Sequence, residues 1–188
     1  MKKTQDGRIL SVEADGTIKI IRDKSISDIA WDTSNANTWA RPATLNTYLN
    51  NDYYNGLTEN AKEQITTGTF KTGPVTNSDT NLGNTVTKEN NTTWNGNIAL
   101  ATASEYVRTS NNSQCTSVST YYSNSNCYSN GSTHNWLTKI MNSSTNKYSW
   151  LLSPAGGTSA LCSSLLPSVP STSATLTMLR PAWRPLSI

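Results

Sequence analysis

Two β-branched runs, Arg8-Ile9-Leu10-Ser11-Val12-Glu13 and Thr17-Ile18-Lys19-Ile20-Ile21-Arg22, flank Ala14-Asp15-Gly16. This predicts a β-hairpin, because Asp-Gly supplies the positive φ that a tight turn needs. Neither Asp6-Gly7 nor Asp15-Gly16 is followed by the alternating acids of a calcium loop, so both read as turns. Trp31 and Trp39 bracket a polar loop. From Pro42 the spacing becomes helical: Pro suits a first turn, and Leu45, Tyr48, Leu49 and Tyr53 share one face before Asn55-Gly56. Thr58 is placed to cap a second short helix over 59–66, with Ala61 and Ile65 inward. A short strand through Phe70 follows. Residues 74–93 are mostly Thr, Asn, Ser and Gly around Leu82 and Val86, and read as a long loop.

The rest is organised around Trp94 to Pro154. Ile98 to Ala101 reads as a buried strand, and Thr102 or Ser104 as the start of a helical turn carrying Glu105 and Tyr106. A polar excursion bracketed by Cys115 and Cys127 lacks regular periodicity. Trp136, Leu137 and Ile140 predict a short helix, and Tyr148 to Leu152 a strand stopped by Ser153-Pro154. The expected fold is α+β: a single loop-rich domain with an N-terminal hairpin, a few short helices and a small, mostly antiparallel sheet. Its core should hold Trp39, Leu45, Leu49, Ile65, Ile98, Leu100, Trp136, Trp150 and Leu152.

Composition narrows the class. Only 35% of the 188 residues are hydrophobic and 14% charged, both low for a globular chain. Asn, Ser and Thr fill the gap, and they favour caps and turns over regular interiors. A loop-rich extracellular domain fits; a densely helical enzyme does not. The net charge is +3, but residues 1–105 hold all 12 acids against 10 Lys and Arg, whereas 106–188 hold five cations and no acid. Those five are too dispersed for a nucleic-acid footprint, so no specific nucleic-acid partner is expected. No apolar run is long enough for a transmembrane segment, and the chain is read either as complete or as lacking an export segment that lies upstream, with the composition favouring the second.

Candidate chemistry is sparse. Three cysteines leave two readings of Cys115 and Cys127: unpaired thiols, or a disulfide contributing about 3 kcal/mol in an oxidising compartment. Cys162 is left over. One histidine, His134, and no CxxC pair give no zinc set; no phosphate-cradling glycine loop occurs, and no cofactor is expected. Ser or Cys nucleophiles need a base beside them, and His134 before Asn135-Trp136 reads better as a helix-start residue. No acid pair has a hydrolase setting.

The order Trp39, Leu45-Asn46-Thr47-Tyr48-Leu49-Asn50, Tyr53-Tyr54, Leu57, Ile65, Ile98-Ala99-Leu100, Ser104-Glu105-Tyr106, the Cys-bracketed loop, Asn135-Trp136-Leu137 and Trp150-Leu151-Leu152-Ser153-Pro154 resembles an uncharacterised surface domain of gut Firmicutes. That domain often follows a type IV prepilin-like helix. It is broadly similar to C-type-lectin-like and formylglycine-generating-enzyme-like folds, which also underlie retroelement-diversified variable proteins. The resemblance covers about residues 8–155 and carries no catalytic group. Such domains close with aromatic-rich strands and an Arg-Pro, which Arg180-Pro181 and Arg184-Pro185 resemble. Ser159 to Ile188 otherwise departs from it, with no Asn, Gly, Lys, Asp, Glu or Tyr and with four prolines. The expected division is a binding domain over 1–158 and an atypical, poorly packed Ser/Leu/Pro-rich tail over 159–188, whose best strand candidate is Ala174–Leu179.

The function expected is non-catalytic adhesion or lectin-like binding on a bacterial surface or pilin-like protein, with a glycan or a cell-surface protein as partner. The alternatives are a phage-associated receptor-binding or variable display protein, and a glycan hydrolase. The candidate ligand-binding residues are Tyr106, Tyr121, Tyr122 and Tyr128 with Asn124 and Asn126. Tyrosine offers a rigid amphipathic surface, and amides adapt their hydrogen bonds. The same residues also fit a plain solvated loop.

Overall fold

The computed structural model describes residues 7–23, 26, 29–34, 38–41, 43–128, 134–141, 150–156, 162–164 and 178–179. Strands β1 (Gly7–Val12) and β2 (Ile18–Arg22) form the expected antiparallel hairpin. At its turn, Asp15 Oδ1 accepts from the amide and the hydroxyl of Thr17, and Gly16 takes φ +80°, where a side chain would be strained. In β2, Lys19 and Ile21 are buried while Ile18, Ile20 and Arg22 are half-buried, so one face meets the core. A register irregularity falls between Ile9 and Ser11.

The next helix, α1 (Thr44–Thr47), passes directly into a π-helical turn, Tyr48–Tyr53. Leu45 and Leu49 are fully buried on its inner face. On the same turn, Asn50 behaves like a strand neighbour. Its Nδ2 donates to the Ile98 carbonyl at 2.9 Å, and its Oδ1 accepts from the Ile98 amide at 3.0 Å. The turn is thereby fastened to β5 (Ile98–Ala99). Thr58 caps α2 (Glu59–Glu63) as expected, accepting from the Ala61 amide. This helix stops short of Ile65, which is only half-buried.

Strands β3 (Gly68–Lys71) and β4 (Thr93–Gly96) make a separate antiparallel pair with Phe70 opposite Trp94. Between them the expected long loop is corrected to a helix, α3 (Leu82–Glu89), capped by Asn81. It buries Thr85 and Glu89 rather than aliphatics, so hydrophobic periodicity did not mark it. Gly73 allows the close approach behind it. Its amide donates to the Glu89 carbonyl, and a β-carbon there would lie 2.0 Å from the Lys88 carbonyl oxygen.

Helix α4 (Ala103–Arg108) starts with a capping box between Thr102 and Glu105, and is followed by α5 (Val118–Ser123), α6 (Ser125–Tyr128) and α7 (Trp136–Met141). Strand β6 runs over Trp150–Pro154, so Ser153 and Pro154 belong to the strand they were expected to stop. The expected tail supplies β7 (Cys162–Ser164), antiparallel to β6, and β8 (Met178–Leu179), within the run named as its best strand candidate. The main sheet has the order β1-β2-β8-β5 with every pair antiparallel. The rest of 159–188, including its prolines, lies outside the described residues, as does Pro42.

A chain of ring contacts crosses the core: Trp150–Trp31 at 6.1 Å, Trp31–Trp39 at 5.3 Å, Trp39–Trp94 at 5.9 Å and Trp94–Phe70 at 5.9 Å. These tilted and edge-on geometries are favourable ones for aromatic pairs. Trp39, Leu45, Leu49, Ile98, Leu100 and Leu152 are buried as expected, whereas Trp136 and Trp150 are half-buried. The Trp150 indole nevertheless has a partner, donating to the Ile29 carbonyl at 3.0 Å. The architecture is therefore compact α+β with an N-terminal β-hairpin.

Candidate functional site: a disulfide-fastened helical module

The excursion bracketed by Cys115 and Cys127 was expected to be an irregular polar loop. It carries helices instead. Ser117 starts α5 with a second capping box: its hydroxyl accepts from the Thr120 amide, and Thr120 Oγ1 accepts from the Ser117 amide. Asn124 ends α5 and begins α6. Its amide donates to the Thr120 carbonyl, and its Oδ1 accepts from the Asn126 amide at 3.0 Å. A disulfide joins Cys115 to Cys127, with Cα atoms 5.6 Å apart. It closes the two short helices into one loop whose half-cystines are both buried.

Asn135 ties this module to the core. Its Oδ1 accepts from the amides of Leu137 and Thr138, as an N-cap does for α7, and from the Thr109 hydroxyl. Its Nδ2 donates to the Tyr106 carbonyl and to the Tyr121 hydroxyl, both at 2.9 Å. Asn135 is 1% exposed, so each of these bonds replaces one that water would have made. His134 stands at the start of this helical stretch, where its carbonyl accepts from the Asn111 amide.

These contacts correct the expectation for two tyrosines. Tyr121 is 1% exposed and Tyr106 5%, and their rings meet edge-on at 5.0 Å inside the module. Neither presents a face to solvent. Burial also pushes the Tyr106 phenol far above its ordinary value, although Thr138 hydrogen-bonds to it. Of the other candidate residues, Tyr122 is half-buried, with its phenol raised by burial, and Asn126 is exposed. Asn124 is half-buried and occupied at the junction of α5 and α6. The Tyr128 side chain lies outside the described residues. The segment's other exposed residues include Asn111, Ser113, Gln114, Thr116 and Ser123. Residues 109–138 contain no Asp, Glu, Lys or Arg, so the segment itself carries no acid or cation; the Asp79–Lys88 pair lies beside it, where the Asp79 carbonyl accepts from the Ser119 amide.

A buried polar network that the sequence did not announce joins α3, α4 and β6. Glu89, 1% exposed, accepts from the Ser104 amide at 3.0 Å, the Ser104 hydroxyl and the Ser153 hydroxyl at 2.7 Å. Burial raises its carboxyl above the ordinary range despite these donors, and the nearby Glu105 charge adds to the rise. Glu105 is itself paired, with the Lys19 ammonium at 2.6 Å and the Thr102 amide at 2.9 Å. Glu13 is a second partner of Lys19, at 3.3 Å. Burial opposes charge on Lys19, but its two carboxylates outweigh that and raise its pKa. Each group here is committed to structure: the Glu89 carboxylate joins α3, α4 and β6, and the Lys19 ion pair joins β2 to α4.

Among the described residues no group of His, Cys, Asp and Glu could hold a metal ion, and no helix is long and apolar enough to cross a membrane. Comparison with family models, with curated proteins and with solved structures finds no match to this chain.

Proposed function

We propose that this chain is a non-catalytic recognition domain of the extracellular or cell-surface kind, and that the rim of the α5–α6 module is its binding face. The observation that carries this reading is how that rim is held. A disulfide and the Asn135 cluster fix two short helices whose exposed residues are uncharged amides and hydroxyls beside the half-buried Tyr122 ring. A fixed face loses little conformational freedom on binding, so less ordering entropy opposes recognition. An aromatic ring beside amide and hydroxyl groups suits a sugar, which offers a C–H face and hydroxyl edges. The absence of charge from residues 109–138 favours a neutral glycan over a nucleic acid or a polyanion.

The disulfide fits an oxidising compartment. The surface-domain resemblance of residues 8–155, with a pilin-like or adhesive context, fits the same reading. For non-catalysis the support is the state of the acids: Glu89 and Glu105 are buried and bonded within the fold, and Asp79 is tied to Lys88 and Thr76. The test is the oxidised protein on an array of neutral, sialylated and sulfated glycans with cell-surface proteins alongside. Selective retention by neutral glycans supports the proposal. Retention only by sulfated or sialylated glycans, or by nothing on the array, contradicts it.

A further inference from the structure

Residues 7–20 make up most of the hairpin, and only one of them is buried: Lys19, 3% exposed. Leu10 and Ile18 are half-buried, and Ile9 and Val12 are exposed. Strand β2 meets β8 at Ile20 and Ile21, on the side of Lys19 away from the turn. Nearer the turn, the one fully buried side chain is a cation. Its ammonium lies 2.6 Å from Glu105 Oε1, in α4, and 3.3 Å from Glu13 Oε1, in the hairpin itself. Glu105 is 8% exposed, and its other oxygen accepts from the Thr102 amide. Glu13 is oriented by the Ser11 hydroxyl at 2.8 Å, and from α3 the Glu89 carboxylate acts on Glu105 as a like charge. A buried ion pair holds only while both members are charged. Neutralising one leaves the other in surroundings that solvate it poorly.

We infer that the cluster of Lys19, Glu105 and Glu13 is an acid-operated latch, which holds the turn end of the hairpin against α4 and releases it when the carboxylates take up protons. The ammonium keeps its charge in acid, because a lysine's ordinary value of 10.5 lies far above that range. Once Glu105 and Glu13 are neutral it is a buried cation without a counter-charge, and it regains water only if the hairpin lifts away. Glu89 does not trigger the release. Burial raises its carboxyl, so it protonates before an ordinary acid as pH falls, and that removes a like charge from beside Glu105. The opening is local. Ile21 is fully buried and paired with Met178, which anchors the far end of β2. A neutral Glu105 still accepts from the Thr102 amide, and the Thr102 hydroxyl still caps α4 through the Glu105 amide. A released two-stranded hairpin is at best marginally stable in water, so its cross-strand amides become exchangeable.

The test is hydrogen exchange of the full chain by NMR, corrected for the intrinsic pH dependence of amide exchange, between about pH 7 and about pH 3, which spans ordinary carboxylate values. The probe is the Glu13 amide, which donates to the Thr17 carbonyl across the turn. The reference is the Leu152 amide, which donates to the Ala101 carbonyl in the core. Acid should lower protection at Glu13 at least tenfold more than at Leu152. Lys19→Met has no charge to strand and should lose that difference. Glu105→Gln stands in for the protonated acid, and should weaken Glu13 protection already at neutral pH while Leu152 stays protected. Equal loss at both amides, or no loss at Glu13, overturns the inference. So does an acid loss in Lys19→Met as large as in the wild type. If Lys19→Met fails to fold, Glu105→Gln supplies the reading: wild-type protection of Glu13 at neutral pH overturns the inference.

Discussion

Replacing Asn135 with Ala strips the cap from α7, leaves the buried Tyr121 hydroxyl without its donor and removes one of the bonds to the Tyr106 carbonyl. The expected cost is about 2–3 kcal/mol, read from urea unfolding. Lys19→Ala should cost more, about 3–5 kcal/mol, because it leaves Glu105 as a buried charge without its cation. The pH dependence of Glu89 runs opposite to that of most acids. Burial raises its folded pKa above the ordinary 4.5, so below that value both folded and unfolded chains are protonated. As pH climbs from there the unfolded chain ionises first, and stability falls until the folded value is passed. Glu89→Gln should therefore flatten the loss of stability above that pH, measured by melting across a pH series; an unchanged slope would count against it. Asp79 gives the opposite sign. Burial acts to raise it, but hydrogen bonds from Lys88 and Thr76 outweigh that and lower its pKa, so its contribution is lost as pH falls through the folded value.

The elements divide according to what holds them. Those built on local rules could be read from the sequence: the Asp-Gly hairpin, the Thr58 and Thr102 caps, and the buried run at Ile98 all lie where turn chemistry and apolar runs placed them. Helices α3, α5 and α6 could not, because their inward positions are filled by Thr85, Glu89, Cys127 and a hydrogen-bonded Tyr121, with Val118 the one fully buried aliphatic, rather than by a periodic aliphatic stripe. Asn81 and Ser117 were the available signals, as N-caps three residues ahead of Asn84 and Thr120. Asn50 is the same lesson in the other direction, a side-chain amide acting as a strand neighbour from within a helix. At the tail, β8 sits between β2 and β5, so slow exchange is expected for backbone amides of Met178 and Leu179 in hydrogen–deuterium measurements. Exchange at the rate of an unstructured peptide would contradict that sheet order.

At the scale of the molecule, one aromatic core supports two surfaces of different character. Strand β1 exposes Ile9 and Val12, whereas the α5–α6 module exposes amides and hydroxyls. The tyrosines expected to bind a ligand are divided by the fold: Tyr106 and Tyr121 are buried within the module, and Tyr122 is half-buried. Residue type alone could not make that division, because a buried tyrosine with a bonded hydroxyl and a half-exposed one read identically in sequence. The central claim is that this rim binds. It is tested most directly by the dissociation constant of the wild-type chain and of Tyr122→Ala for the neutral glycan that the array retains most strongly, with melting temperatures of both proteins as control. The account predicts at least a tenfold weaker affinity for the folded variant, about 1.4 kcal/mol or more. Equal affinities in two equally folded proteins would contradict it.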